Sequence, residues 1–371
     1  MSDMILHTPD GVRDIYNGEC EKKLILEDRL FNVIRRYGYS PIETPSFEFF
    51  DVFGKEIGTT PSKDLYKFFD RDGNTLVLRP DITPSVARSY AKYFMDEKEP
   101  VRLCYKGNTF TNHSDFQGNL KETTQLGAEL IADDSVAADA EVIALTVDCF
   151  KSAGLTDFQI SVGNTAFFRA ICQEASIDEE HENLIRDYIC SKNFFVACEV
   201  LKGLGASDRI LKVFDELPYL TGQQDMLERA LPVVEGNPDA VEAINRLKRL
   251  YELLESYGCG AYVSFDLGLL SKFDYYTGII FDGYTLGSGQ AVAKGGRYDS
   301  LISFFGKDAP AVGCVVMLDQ LQAALRRQKI EIAVEEEPRI INYVEGEEET
   351  AIREAVNLRS QGKKVKLIKS R

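Results

Sequence analysis

The sequence predicts an α+β fold in which helices flank one antiparallel sheet, and three observations carry that prediction. Helical and strand-like segments alternate irregularly, without the regular βαβ rhythm of a parallel sheet. A hairpin pattern is present early in the chain: Leu65-Tyr-Lys-Phe-Phe69 and Thr75-Leu-Val-Leu78 flank Asp70-Arg-Asp-Gly-Asn74, where Asp-Gly supplies the positive φ angles of a tight turn. Finally, residues from about 177 to 257 are charged, helical and poor in strand sequence, which reads as a helical insertion.

Along the chain, Leu26, Leu30, Val33, Ile34 and Tyr37 recur on one helical face, predicting an amphipathic helix over 21–37. Gly38 follows as its stop. The segment from Tyr39 to Phe50 is extended and broken at Pro41 and Pro45. A helix begins near Thr83-Pro84, because proline suits a first helical turn. Further strands are expected at 101–105, 124–132, 158–162, 261–266, 278–284 and 290–293. Within the insertion, Leu184, Ile185, Tyr188 and Ile189 mark one helix and residues 240–254 another. After the acidic run from Val334 to Pro338 come a strand (340–344), a helix (348–359) and a strand (364–368). This βαβ-like unit is too small to bury a core alone. The expected organisation is a core over 1–325, an acidic linker over 326–338 and a small C-terminal α/β unit over 339–371.

Of the 371 residues, 44% are hydrophobic, enough for a sizeable core. The net charge of -16 disfavours nucleic-acid binding, which needs clustered Lys and Arg to displace counterions. The eight cysteines (20, 104, 149, 172, 190, 198, 259 and 314) form no C-x-x-C pair. That pattern predicts reduced thiols in a cytoplasmic protein and argues against a zinc site or a disulfide framework. No signal peptide is expected, since no basic region precedes an apolar one at the N-terminus. Nothing approaches the roughly 18 apolar residues of a membrane span. With three histidines in the chain, neither a His-rich metal site nor a histidine-based triad is expected. No cofactor is expected either.

The chemistry concentrates in two stretches, Leu269-Leu-Ser-Lys-Phe-Asp-Tyr-Tyr-Thr-Gly278 and Gly295-Gly-Arg-Tyr-Asp299. Both are polar and aromatic within apolar strand sequence. Together they resemble the histidine-specific signature of histidyl-tRNA synthetases. Other segments resemble those enzymes in matching order over about residues 9 to 325. Gly11-Val-Arg-Asp14 is similar to their opening. Arg36-Tyr-Gly-Tyr39 through Thr44-Pro45 resembles motif 1, the dimer-forming helix and strand. Cys104-Tyr-Lys-Gly107 through Gln125-Leu-Gly-Ala-Glu129 occupies motif 2, and Ala311-Val-Gly313 through Gln320 occupies motif 3. The resemblance implies the class II aminoacyl-tRNA synthetase-like antiparallel sheet, flanked by helices, and a homodimer through the motif 1 region.

The departures are as informative as the matches. The resemblance places phosphate-gripping arginines at Thr111 and Gln320, and the signature arginine at Ser271. In the motif 2 loop over 112–121, only Lys121 is cationic. Adenylate formation needs preorganised cations where charge develops, and losing one such donor costs on the order of 10² to 10³ in rate. No catalytic residue is therefore assigned. The amino-acid pocket is better preserved. By the resemblance, Asp81 and Thr83 of Leu78-Arg-Pro-Asp-Ile-Thr83 take the α-ammonium group, Gln125 and Glu129 contact histidine, Tyr276 and Glu129 read the imidazole, and Tyr275 and Tyr298 line the pocket.

Leu78-Arg-Pro-Asp-Ile-Thr-Pro-Ser-Val-Ala-Arg88, and less distinctively Gly163-Asn-Thr-Ala-Phe-Phe-Arg169, resemble a synthetase paralogue family: the regulatory subunits of the ATP phosphoribosyltransferase that opens histidine biosynthesis. That resemblance implies a non-catalytic partner of a short-form catalytic subunit, with free histidine as effector and no tRNA or membrane partner. The alternative is a divergent histidyl-tRNA synthetase or a histidine-activating enzyme using Lys121 and Lys272. Plainer readings stand beside these. Tyr275 and Tyr276 suit any half-buried strand, Gly295-Gly296 any turn, Glu129 any solvated surface and Asp81 a helix N-cap. Spacing leaves open whether Gln125 and Glu129 share a helix face or a strand face.

Overall fold

Apolar residues at helical spacing form α1 (Asn17–Arg36), which buries Leu26, Leu30, Val33 and Ile34. Gly38 follows at φ 85°, a left-handed conformation that costs a residue without Cβ little. The computed structural model describes residues 6–54, 60–94, 96–113, 120–273, 275–334 and 337–370. Asp274 of the aromatic signature, residues 114–119 of the motif 2 loop, and Glu335 and Glu336 of the acidic run lie outside the described residues.

Two units are distinguished: residues up to 15 with 26–331, and residues 16–25 with 332–371. In the first, β1 (Ser40–Pro41), β2 (Phe47–Phe49), β3 (Lys67–Phe69), β4 (Thr75–Leu78) and α2 (Thr83–Tyr93) precede the long pair β5 (Val101–Phe110) and β6 (Glu122–Ile131). Then come α3 (Val136–Ala153), β7 (Phe158–Asn164) and α4 (Thr165–Glu174). The insertion contributes α5 (Glu179–Cys190), α6 (Phe194–Gly203), α7 (Asp208–Glu216), β8 (Thr221–Gly222), α8 (Gln224–Ala230) and α9 (Pro238–Ser256). The unit closes with β9 (Val263–Asp266), β10 (Ile279–Thr285), β11 (Ala293–Arg297), β12 (Ala311–Met317) and α10 (Leu318–Arg327).

The main sheet runs β1-β5-β6-β12-β11-β10-β7-β9-β8. The expectation of one antiparallel sheet holds through its centre and fails near both edges, where β1 joins β5 and β9 joins β7 in parallel. Parallel neighbours need long crossovers, and the helical insertion is the crossover from β7 to β9. The insertion is also less separate than its sequence suggested. β8 adds a strand to the sheet edge. α9 packs against α3 and α4, burying Ala243, Ile244, Leu247, Leu250 and Leu254.

The predicted hairpin forms β3 and β4 of a separate sheet ordered β2-β4-β3. Its turn is wider than two residues: Asp70 Oδ1 accepts the N–H groups of Asp72 and Asn74 at 2.9 and 2.8 Å, and Gly73 has φ 86°. Strand β11 corrects the boundary 290–293. It starts at Ala293, and Gly295 and Gly296 lie inside it and form no turn. The second unit pairs β13 (Arg339–Tyr343) in parallel with β14 (Val365–Lys369) beneath α11 (Glu348–Ser360). Ile341, Ala351, Ala355 and Leu358 form its small core.

A buried ion cluster joins three elements of the first unit. Asp139 on α3 is fully buried and accepts hydrogen bonds from Arg297 Nε of β11 at 2.8 Å and Arg246 Nε of α9 at 3.0 Å. Removing one partner of a buried pair leaves the other charge uncompensated. Asp139→Ala is therefore expected to lower unfolding free energy by about 3–5 kcal/mol in urea titration. Arg246→Ala should cost less, because that side chain is 26% exposed and screened by water.

Candidate ligand-binding site

The strand register places Leu103, Glu129, Gly313, Gly296 and Ile280 in one row across β5, β6, β12, β11 and β10. Directly paired residues point to the same sheet face, so Glu129 stands beside two residues without side chains. A Cβ on Gly313 would fall on the Glu129 carboxylate. One on Gly296 would approach the Tyr276 ring to 2.7 Å. Two residues along the strands, the next row holds Tyr105, Gly127, Val315 and Lys294, and Gly127 makes room for the Tyr105 ring. Gln125 faces Met317 in a third row. The open question about Gln125 and Glu129 is thus resolved: both are on a strand, four residues apart on one face.

A cavity of about 200 Å³ lies over these rows. Asp81 and Thr83, from the segment entering α2, contribute to its wall, as do Gln125 and Glu129 of β6. Tyr275, Tyr276 and Tyr298 line it as well. All seven residues singled out from the sequence therefore meet in one place. The Tyr275 ring lies 4.6 Å from that of Tyr276 and meets the Tyr298 ring edge-on at 5.9 Å.

Glu129 is 1% exposed, and three hydroxyls satisfy it. Thr83 Oγ1 and Tyr105 OH donate to Oε1 at 2.8 and 3.1 Å, and Tyr298 OH donates to Oε2 at 2.5 Å. Burial raises its pKa and outweighs those bonds, leaving it pushed up to about 7. Asp81 is also raised by burial, against opposing bonds from Thr83 N–H, Ile82 N–H and Tyr275. Its Oδ1 accepts the Ile82 N–H at 2.7 Å and the Thr83 N–H at 3.4 Å. Asp81 thus steadies the start of α2 and faces the cavity at once. Burial, first of all, drives the Tyr105, Tyr275 and Tyr298 hydroxyls well above the ordinary phenol range, so they act as neutral donors.

The surrounding charged residues brace this arrangement. Arg79 is buried and donates to the carbonyls of Thr44 and Asn108 at 2.7 and 2.8 Å, which fixes the chain just before Pro80 and Asp81. Asp299 accepts from Arg297 Nη1 at 3.0 Å and from Ala311 N–H at 3.1 Å, holding the chain on either side of Tyr298.

The positions where the resemblance expects arginines lie elsewhere. None of Thr111, Ser271 and Gln320 lines the cavity, nor do Lys121 and Lys272. Ser271 Oγ accepts the Phe273 N–H at 3.0 Å, and Gln320 sits in the first turn of α10. Sequence reasoning missed Tyr105, Phe273 and Lys294. Tyr105 becomes visible only through its register opposite Gly127. Lys294 left a signal: a lone charge in the strand sequence Ala291-Val-Ala-Lys-Gly-Gly296.

This fold belongs to the histidyl-tRNA synthetase-like class II proteins: a family model described as Histidyl-tRNA synthetase matches residues 11–321. An ATP phosphoribosyltransferase regulatory subunit from Acetivibrio thermocellus is 38% identical over 98% of this chain and 86% of its own. A counterpart from Thermoanaerobacter pseudethanolicus is 35% identical over 98% of this chain and 94% of its own. The solved structure of an ATP phosphoribosyltransferase regulatory subunit/histidyl-tRNA synthetase from Bacillus halodurans superimposes with a TM-score of 0.88 at 32% identity, covering 98% of this chain and 93% of that one. The chain belongs to the ATP phosphoribosyltransferase regulatory subunit family.

The buried acid has a measurable consequence. Between the ordinary carboxyl pKa of 4.5 and about 7, Glu129 holds its proton in the folded chain and loses it in the unfolded one. Its contribution to stability is therefore complete below the lower value and is lost as pH rises through the higher one. Compared with Glu129→Gln, the parent chain is expected to lose roughly 3 kcal/mol across that window. Urea unfolding of both proteins at a series of pH values checks this.

Proposed function

We propose that this chain is a non-catalytic, histidine-sensing subunit that confers feedback on a short-form ATP phosphoribosyltransferase catalytic subunit in histidine biosynthesis. One observation carries the reading. The side chains that the synthetase resemblance assigns to amino-acid recognition converge on one cavity, while the positions assigned to phosphate carry Thr111, Ser271 and Gln320. The cavity is smaller than the roughly 300–1,000 Å³ typical of drug-sized ligand sites, which suits a single amino acid. Imidazole presents one donor and one acceptor, or two donors when protonated. Glu129 and Tyr276 complement either form, and a ligand without ring nitrogens leaves them unpaired.

Feedback requires histidine to bind one conformation of the complex more tightly than another. The phosphoribosyl-transfer chemistry would then reside on the partner chain. We also assign a homodimer to the motif 1 region. The small sheet that follows this region exposes Phe47 and Phe49 at 52% and 56%, with Phe68 beside them at 38%, an apolar face suited to burial between copies. The place of action is the cytoplasm, in keeping with the reduced thiols expected from the cysteine pattern.

Calorimetric titration of the purified chain with histidine tests the reading. Saturable one-site binding is expected, weakened about tenfold or more by Glu129→Gln and several-fold by Tyr276→Phe. Histidine-dependent ATP–pyrophosphate exchange is expected to be absent. Exchange activity would instead establish an activating enzyme.

A further inference from the structure

We propose that Lys294 is the ligand's carboxylate-binding residue, making the cavity selective for an intact α-amino acid over its decarboxylated analogue. The inference rests on reading the cavity as a histidine site. Among the described lining residues, Lys294 is the one with a cationic side chain, and it shares the lining with two carboxylic acids, Asp81 and Glu129. A cavity so charged matches a zwitterion with a ring that hydrogen-bonds to an acid.

The register supplies the geometry. Lys294 lies on β11 two residues before Gly296, on the same sheet face. Gly296 shares the row of Glu129, so Lys294 is displaced from the ring-binding row by roughly 7 Å along the strand. That displacement is comparable to the separation between the ring and carboxylate ends of an extended histidine. Beyond it, in the third row, the Gln125 Oε1 atom is buried without a hydrogen-bond partner. An α-ammonium group between Asp81 and Gln125 would satisfy that atom and bring the adjoining carboxylate toward Lys294.

The plain alternative for an exposed strand lysine is a cross-strand ion pair. Asp282 of β10 is directly opposite Lys294, yet its Oδ2 accepts the Tyr284 hydroxyl at 3.0 Å. No ion pair joins Lys294 to Asp282 or to any other described acid. Lys294 thus lines the cavity without an ion pair to any described acid.

Calorimetry on the full chain with L-histidine and with histamine, which keeps the ring and amine but lacks the carboxylate, tests the assignment. The parent chain is expected to bind histidine more tightly than histamine by about tenfold. Lys294→Met should weaken histidine about fivefold to tenfold while leaving histamine unchanged or tighter. Lys294→Arg should keep most of the histidine affinity. An equal loss for both ligands in Lys294→Met, or no loss for histidine, overturns the assignment and leaves the cavity reading intact. Failure of the parent chain to bind histidine at all overturns both.

Discussion

The site is organised around one buried carboxylate. Placing Glu129 in the sheet interior carries a desolvation cost that the protein must offset with donors. Those donors come from separate parts of the chain: Thr83 at the start of α2, Tyr105 on β5 and Tyr298 just beyond β11. None is a neighbour of Glu129 in sequence. Satisfying this one side chain therefore ties the helix entry, the β5–β6 hairpin and the aromatic segment to the sheet. The glycines at 127, 296 and 313 are the steric counterpart of the same demand. Any side chain at 313 would occupy the space of the carboxylate itself.

The donors are hydroxyls, and that choice defines the chemistry. A guanidinium beside Glu129 would hold it ionised and close off its response to a ligand. Neutral phenols and a threonine leave burial free to raise its pKa to about 7. Arginines near the site serve other ends. Arg79 is consumed by backbone carbonyls, and Arg297 is locked to Asp139 and Asp299. Thr111, Ser271 and Gln320, where the synthetase resemblance expects cations, all lie outside the cavity lining. β11 does double duty here, since it leads into Tyr298 and also carries Arg297 into the ion cluster shared with α9 of the insertion.

Much of this was legible in the linear sequence. The periodicity of Leu26, Leu30, Val33 and Ile34 marked α1, Gly38 marked its end and Asp-Gly marked a hairpin, because these depend on local backbone preference and one-sided burial. Boundaries failed where polar side chains continue a strand. β5 runs to ten residues, well past the apolar stretch at 101–105, since a strand with one open face need not be apolar throughout. Gly295-Gly296 looked like a turn because glycine pairs mostly make turns. In the fold both lie inside β11, and Gly296 makes room for the Tyr276 ring.

Residue identities alone were enough to list candidate recognition side chains and the positions where the resemblance expects arginines, since both are properties of what stands at each position. They could not say that Gln125 and Glu129 share a strand face, that Tyr105 reaches the same carboxylate, or that Lys294 lines the cavity without an ion pair to any described acid. Those facts depend on register, and register arises from pairing strands distant in sequence: β6 lies against β12, and β12 against β11. A slip of one residue would turn each of these side chains to the opposite face. The long-range packing of the sheet turns a set of plausible residues into a site.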